Sequence, residues 1–195
     1  MLITKLVLLY SYMVHYDLNW LQEKYSRNEK IDFFFFWGHT NKANEPVGKF
    51  IFSQWYPSPF KVNSITYKTA EHWMMAGKAK LFNDLQTFNK IIEATTPKEA
   101  KDQGRQVKEF DATVWEQNCF AIVREGNWHK FTQNDGYKEY LLGTGSKVLV
   151  EASPVDPVWG IGLPQDSPKA TDPFSWRGQN LLGFALMEVR DRLLH

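Results

Sequence analysis

The sequence predicts a single domain that is mainly α-helical with a small β component. Two observations carry this. Apolar residues recur at helical spacing, with helix-capping signals, through most of the chain after residue 69, whereas the runs that read as strands are few and short. The 195 residues suit one core, long enough to bury roughly 70% of the unfolded chain's surface without staples.

The elements follow in order. "MLITKLVLLYSYMVHYDLNW" holds an apolar run from Leu6 to Leu9, too short to span a bilayer and followed by no small-residue cleavage site. It reads as a strand or helix of an N-terminal extension, residues 1–30, which ends in the polar linker "QEKYSRNEK", Gln22 to Lys30. The domain proper is expected over residues 31–195. "IDFFFFWGHT" is a buried strand ending at Gly38, "NKANEPVG" is a loop, and "KFIFSQWYPSPFKVNSITY" holds extended pieces broken by Pro57 and Pro59. "TAEHWMMAGKAKLF" is a helix with Thr69 as N-cap, which puts Glu71 in the first turn, where the helix dipole favours a carboxylate. "DLQTFNKIIEA" carries Leu85, Phe88, Ile91 and Ile92 on one face. "TTPKEAKDQG" opens a helix with a capping box, Thr96 at the cap, Pro97 next and Glu99 three after the cap. A long helix starts near Asp111 and a short one covers "DGYKEYLL". "KVLVEAS" is a strand, and the final helix sets Leu182, Ala185, Leu186, Val189 and Leu193 on one stripe.

Between the last strand and the last helix, Glu151 to Asn180 is neither. It holds five of the nine prolines together with Asp156, Trp159, Trp176 and Arg177. A loop this long inside one domain more often carries function than not, and its two Trp argue against disorder.

Composition excludes several classes. The single cysteine, Cys119, forms no intrachain disulfide, and the five histidines are scattered, so no metal is expected. "WGIG" is not a dinucleotide fingerprint and there is no phosphate-binding P-loop, so no cofactor is expected either. Lys+Arg 23 against Asp+Glu 22 makes no overall basic field, which leaves only a local basic patch for a nucleic acid. A reducing, cytoplasmic setting and no membrane association fit these features. Aromatic content of 15% serves both core packing and stacking on bases or sugars.

Glu71 and Lys78 stand seven positions apart, so they lie nearly above one another with Met74 and Met75 between them. Taken alone, such a pair is an ordinary solvated helix face. With the order "FFFWG", "FSQWYPSPF", "YKTAEHWMMAGKAKLF", "TPKEAKDQGRQV", "DATVW", "LLGTGSKVLVEASPVDPVWGIG" and "WRGQNLLGFALMEVR", the chain resembles the NADAR, or YbiA-like, family from Phe34 to Leu194. The resemblance implies a mainly helical N-glycosidase that cleaves a ribose C1–N bond. Its implied substrates are a phosphorylated N-riboside, namely a ribosylamino-pyrimidine early in riboflavin synthesis, or ADP-ribose on guanine, free or in ADP-ribosylated DNA. A module that holds ADP-ribose or NAD without turnover is the alternative.

Carried over from the matching motifs, Glu71, Asp156 and Trp159 are the implied catalytic residues, and Lys78 joins them from the stripe. Lys78 is either a nucleophile that traps an opened ribose as a Schiff base or a phosphate ligand, with the methionines favouring the first. Glu151 and Trp115 are implied to line the pocket, although Glu151 equally suits anchoring the loop and Trp115 core packing. His72 is a proton shuttle or a packed, hydrogen-bonded histidine. Arg105 and Arg177 are candidate phosphate ligands. Trp37, Gly38, Gln54, Trp55, Gly160 and Asn180 complete the substrate-binding candidates.

Overall fold

The computed structural model describes residues 16–41 and 44–195, and the apolar run at Leu6–Leu9 lies outside them. The described elements are α1 (Leu18–Ser26), β1 (Phe33–Phe36), a 3-10 turn (Lys49–Phe52), β2 (Phe60–Val62), β3 (Ile65–Tyr67), α2 (Ala70–Leu81), α3 (Leu85–Glu93), α4 (Pro97–Gly104), α5 (Ala112–Gln133), α6 (Tyr137–Leu142), β4 (Val148–Glu151) and α7 (Leu181–Leu194). Helices dominate, as expected.

The caps explain most of the helix starts. Thr69 accepts from the His72 N–H, Thr96 and Glu99 form the reciprocal capping box, and Asp111 accepts from the Val114 N–H to start the long α5. Three expectations are corrected. The supposed linker begins as the second half of α1: Asp17 caps that helix by accepting from the Trp20 N–H at 2.7 Å, and Leu21 is wholly buried. Its polar residues are the solvated face of a packed helix. "KFIF" is a 3-10 turn that buries Phe50, Ile51 and Phe52, not an extended piece. Leu85 is exposed at the first turn of α3, while Phe88 and Ile91 are buried.

β1 and β4 form a parallel pair with Phe33 opposite Val148 and Phe36 opposite Glu151. β2 and β3 form a hairpin whose two turn residues, Asn63 and Ser64, both take positive φ, as a two-residue hairpin turn requires. α7 runs through the middle of the molecule and contacts α5, α6 and β4. Every residue from Leu182 to Arg190 is buried, so the expected apolar stripe is buried through Val189 together with the opposite face of the helix. Its two buried charges are matched: Glu188 pairs with Arg124 at 2.6 Å, and Arg190 donates to Thr144 Oγ1 and the Lys147 carbonyl at 2.9 and 2.8 Å. α2 packs on α5, α3 and α4, which turns one end of it toward the C-terminal end of β4.

The segment between β4 and α7 is held by backbone bonds in place of regular structure. Ile161 N–H donates to the Glu151 carbonyl, Arg177 N–H to that of Ile161, and Asn180 N–H to that of Gly160. Trp176 is buried and its indole donates to the Ala170 carbonyl at 2.8 Å. Among the described residues, no helix is long and apolar enough to cross a membrane.

Candidate active site

α2, the end of β4 and the long loop after it meet at a cavity of about 170 Å³. Ser53, Gln54 and Trp55 contribute from the segment after the 3-10 turn, Glu71, Met74, Met75 and Lys78 from α2, and Lys101 from α4. Trp115 comes from the first turn of α5, Glu151 from the end of β4, Asp156 and Trp159 from the loop, and Leu182 from the start of α7. The helical stripe of Glu71, the methionines and Lys78 thus forms one wall.

Three buried side-chain oxygens without a partner among the described residues, Gln54 Oε1, Glu71 Oε1 and Glu151 Oε2, all belong to residues that line this cavity. Buried polar groups in folded proteins are overwhelmingly paired, so three orphaned oxygens around one cavity mark a place for the polar groups of a ligand. Among the described residues, no group of His, Cys, Asp and Glu side chains could hold a metal ion.

Two of the acids are shifted by burial. Burial pushes Glu71 up to about 7, with the Asp156 charge adding to it and Lys101, the Trp55 side chain and Arg105 relieving it. Burial likewise pushes Glu151 up to about 8, reinforced by the charges of Asp156 and Glu71. Asp156 instead turns Oδ1 to the Val158 and Trp159 N–H groups, at 2.9 and 2.8 Å, a local turn that sets Trp159 beside the carboxylate. Lys78 is half-buried, its pKa lowered by desolvation, and its Nζ lies 3.9 Å from the centre of the Phe110 ring and 5.7 Å from that of Trp115.

The cavity therefore gathers Glu71, Lys78, Asp156, Trp159, Gln54, Trp55, Trp115 and Glu151 from the candidates. The others stand outside its lining. Both ring nitrogens of His72 are engaged, Nδ1 with Thr69 Oγ1 at 2.8 Å and Nε2 with the Ala94 carbonyl at 3.1 Å, so this residue is the packed histidine that ties the start of α2 to the end of α3. Asn180, wholly buried, clamps the end of β4: its Oδ1 accepts from the Glu151 N–H and its Nδ2 donates to the Leu149 carbonyl, both at 2.9 Å. Gly160 is a close-packing site, since an added Cβ would stand 2.9 Å from the Glu151 carbonyl oxygen.

Arg105 is exposed and paired with Asp102 at 3.2 Å, reaching Glu71 only through its field. Arg177 is exposed, Trp37 is 56% exposed, and Gly38 has a positive φ of 80° after β1. Sequence reasoning missed Ser53, Lys101 and Leu182 as lining residues. Nothing distinguishes Lys101 from Lys98 until α4 packs on α2.

The family model described as NADAR domain matches residues 35–194 of this chain. An N-glycosidase of Acanthamoeba polyphaga mimivirus is 44% identical over 163 residues, covering 81% of this chain and 94% of that protein. The N-glycosidase YbiA of Escherichia coli (strain K12) is 30% identical over 142 residues, covering 73% and 80%. The solved NMR structure of the E. coli protein YbiA superposes with a TM-score of 0.64 at 25% identity, over 85% of this chain and 88% of that one.

Proposed function

The chain belongs to the NADAR family, and on that premise we propose that it is an N-glycosidase whose cavity cleaves a ribose C1–N bond. The observation that carries the reading is the meeting of three carboxyl groups, Glu71, Glu151 and Asp156, with orphaned acceptors in one small cavity. Departure of the nitrogen leaves positive charge on C1 and the ring oxygen, which a carboxylate stabilises most effectively where water is excluded. Glu71 and Asp156 supply that negative charge. Glu151, which keeps its proton until about pH 8, delivers it to the leaving nitrogen. Trp115 and Trp159 wall the sugar or base.

Lys78 acts at the same carbon. Its neutral amine adds to C1 as the nitrogen departs and gives up a proton, the bond from C1 to the ring oxygen breaks to leave an imine and a free C4 hydroxyl, and water hydrolyses the imine to release the sugar and the lysine. Burial supports this by raising the neutral fraction of the amine, and Met74 and Met75 provide the apolar wall beside it. The substrate is a phosphorylated N-riboside, either a ribosylamino-pyrimidine early in riboflavin synthesis or ADP-ribosylated guanine, free or in DNA. Lys101 is the cation on the cavity wall suited to the phosphate. A module that merely held ADP-ribose would gain nothing from two buried carboxyl groups facing an anionic ligand.

Incubation with both substrate classes, followed by mass spectrometry, tests the reading. The expected result is free base with ribose phosphate or ADP-ribose from one class. Intact substrate in both, with tight binding of ADP-ribose, would overturn the enzyme in favour of the module.

A further inference from the structure

Beneath Ser53 and Gln54 lies a polar pair that the reaction above does not use. Asn127 and Lys130, about one turn apart on α5, are both wholly buried. Asn127 Nδ2 donates to the Val123 carbonyl of its own helix at 2.9 Å. A carbonyl only accepts, so this bond fixes which way the Asn127 amide faces: its Oδ1 is turned to Gln54 and accepts from Gln54 Nε2 at 3.1 Å. The same logic passes one residue further. With its nitrogen committed to Asn127, Gln54 must turn Oε1 the other way, where it is buried and unpaired in a residue that lines the cavity.

A flipped Gln54 would set two amide oxygens against each other and lose the bond. The backbone is held as firmly, because Lys130 Nζ donates to the Ser53 carbonyl at 2.8 Å and the Glu71 N–H donates to that of Gln54 at 3.0 Å. Glu71 and Glu151 change from acceptor to donor when protonated, whereas Gln54 cannot. It is the acceptor of the three whose character does not depend on pH.

We propose that Asn127 is a positioning residue that locks the Gln54 amide with its oxygen toward the cavity, making Gln54 the selector for a substrate that offers an N–H or O–H donor there. The proposal rests on the N-glycosidase reading only for what the substrate is, since the locked acceptor exists without turnover. The donor has two candidate sources, a sugar hydroxyl and an exocyclic amino group of the base.

Binding without catalysis tests it, with the fluorescence of Trp55, Trp115 and Trp159 around the cavity as reporter. One probe pair is ribose 5-phosphate against 2-deoxyribose 5-phosphate, and the other is guanosine against inosine. Wild type should prefer the donor-bearing member of one pair by about tenfold, and which pair identifies the source. Asn127→Leu should lower that preference several-fold while leaving the affinity for the poorer member nearly unchanged. Gln54→Met, which keeps the length but has no acceptor, should abolish the preference, and it carries the test if Asn127→Leu does not fold. Failure to turn over any glycoside would leave these measurements standing. Equal affinities within both pairs, no binding of any probe, or a Gln54→Met protein that discriminates like wild type would overturn the proposal. So would an Asn127→Leu protein with a lower melting temperature and an unchanged preference, the signature of a structural role alone.

Discussion

At Glu71 two local fields oppose one another. Its seat in the first turn of α2 favours the carboxylate by roughly 0.3–1 kcal/mol, less than one pKa unit, while burial drives the group up to about 7. Burial wins. The proposed roles need Glu71 charged and Glu151 protonated, and since each carboxyl feels the others, the two titrate as a pair. The rate should therefore rise through about pH 7 as Glu71 ionises and fall through about pH 8 as Glu151 loses its proton. A kcat/KM profile flat from pH 6 to 9 would contradict this assignment. Glu71→Gln should keep the fold, lose about 10²–10⁴ in kcat and remove the acid limb of the profile. Lys78 is tested by a covalent bond in place of a rate: borohydride added during turnover should leave a reduced sugar adduct mapped to Lys78, and Lys78→Arg should be nearly inactive with no adduct. An active Lys78→Arg protein would return the residue to phosphate binding.

The loop between β4 and α7 shows how an element without regular structure is still held in one arrangement by its packing. An added Cβ at Gly160 would stand 2.9 Å from the Glu151 carbonyl oxygen and from Ser153 Cβ, and 3.2 Å from the Asp156 carbonyl oxygen. Backbone atoms cannot step aside as a flexible side chain would, so Gly160→Ala should cost about 1–3 kcal/mol in urea unfolding and, by shifting Asp156 and Trp159, lower kcat as well. At the other end of the chain, α1 buries Leu21 completely and sets Trp20 edge-on to Phe184 of α7, 6.5 Å between ring centres. Removing residues 1–27 strips that cover from the central helix, and the melting temperature should drop by several degrees or more, since one buried Leu alone is worth about 2–5 kcal/mol. Unchanged melting would make α1 an appendage. These two elements mark the limits of legibility. Helices with a cap written beside them, at Thr69, at Thr96–Pro97–Glu99 and at Asp111, were readable because capping is local chemistry. The second half of α1 reads as linker because its exposed face is polar and only Leu21 of that helix is fully buried, and α7 reads as striped because nothing local says that a helix is surrounded. The shared face of Glu71, Met74, Met75 and Lys78 is legible from spacing, but spacing alone leaves it an ordinary solvated helix face, and only the resemblance to a family makes it a site candidate. Ser53, Lys101, Leu182 and the Asn127–Lys130 pair are not legible, since only tertiary packing brings them to the cavity or beneath it.

Across the whole molecule, ionisable groups held inside the fold make stability depend on pH in a way that mirrors the proposed function. Glu71 and Glu151 are raised from 4.5 to about 7 and about 8, so the stability tied to their neutral forms is fully present below about pH 4.5 and is lost as pH rises through 7 and 8. Lys130 runs the other way. Burial lowers it from 10.5 to about 7, so its share is present above 10.5 and is lost as pH falls through 7. The two penalties overlap around pH 7–8, where the site is expected to work, and a fold that keeps both there is giving up stability for the cavity and for the anchor beneath it. Urea unfolding across pH separates the contributions. The double variant Glu71→Gln, Glu151→Gln should gain little over wild type at about pH 4 and should gain on the order of several kcal/mol at about pH 8.5, the direction in which both buried carboxyls' raised pKa values point. Lys130→Met should show the opposite dependence: an advantage at pH 6 that shrinks toward pH 10, leaving only the lost bond to the Ser53 carbonyl. Differences constant in pH for both variants would mean that these groups titrate in the folded protein as they do in water. In that case neither the acid assignment at the cavity nor the buried anchor under it could stand as described.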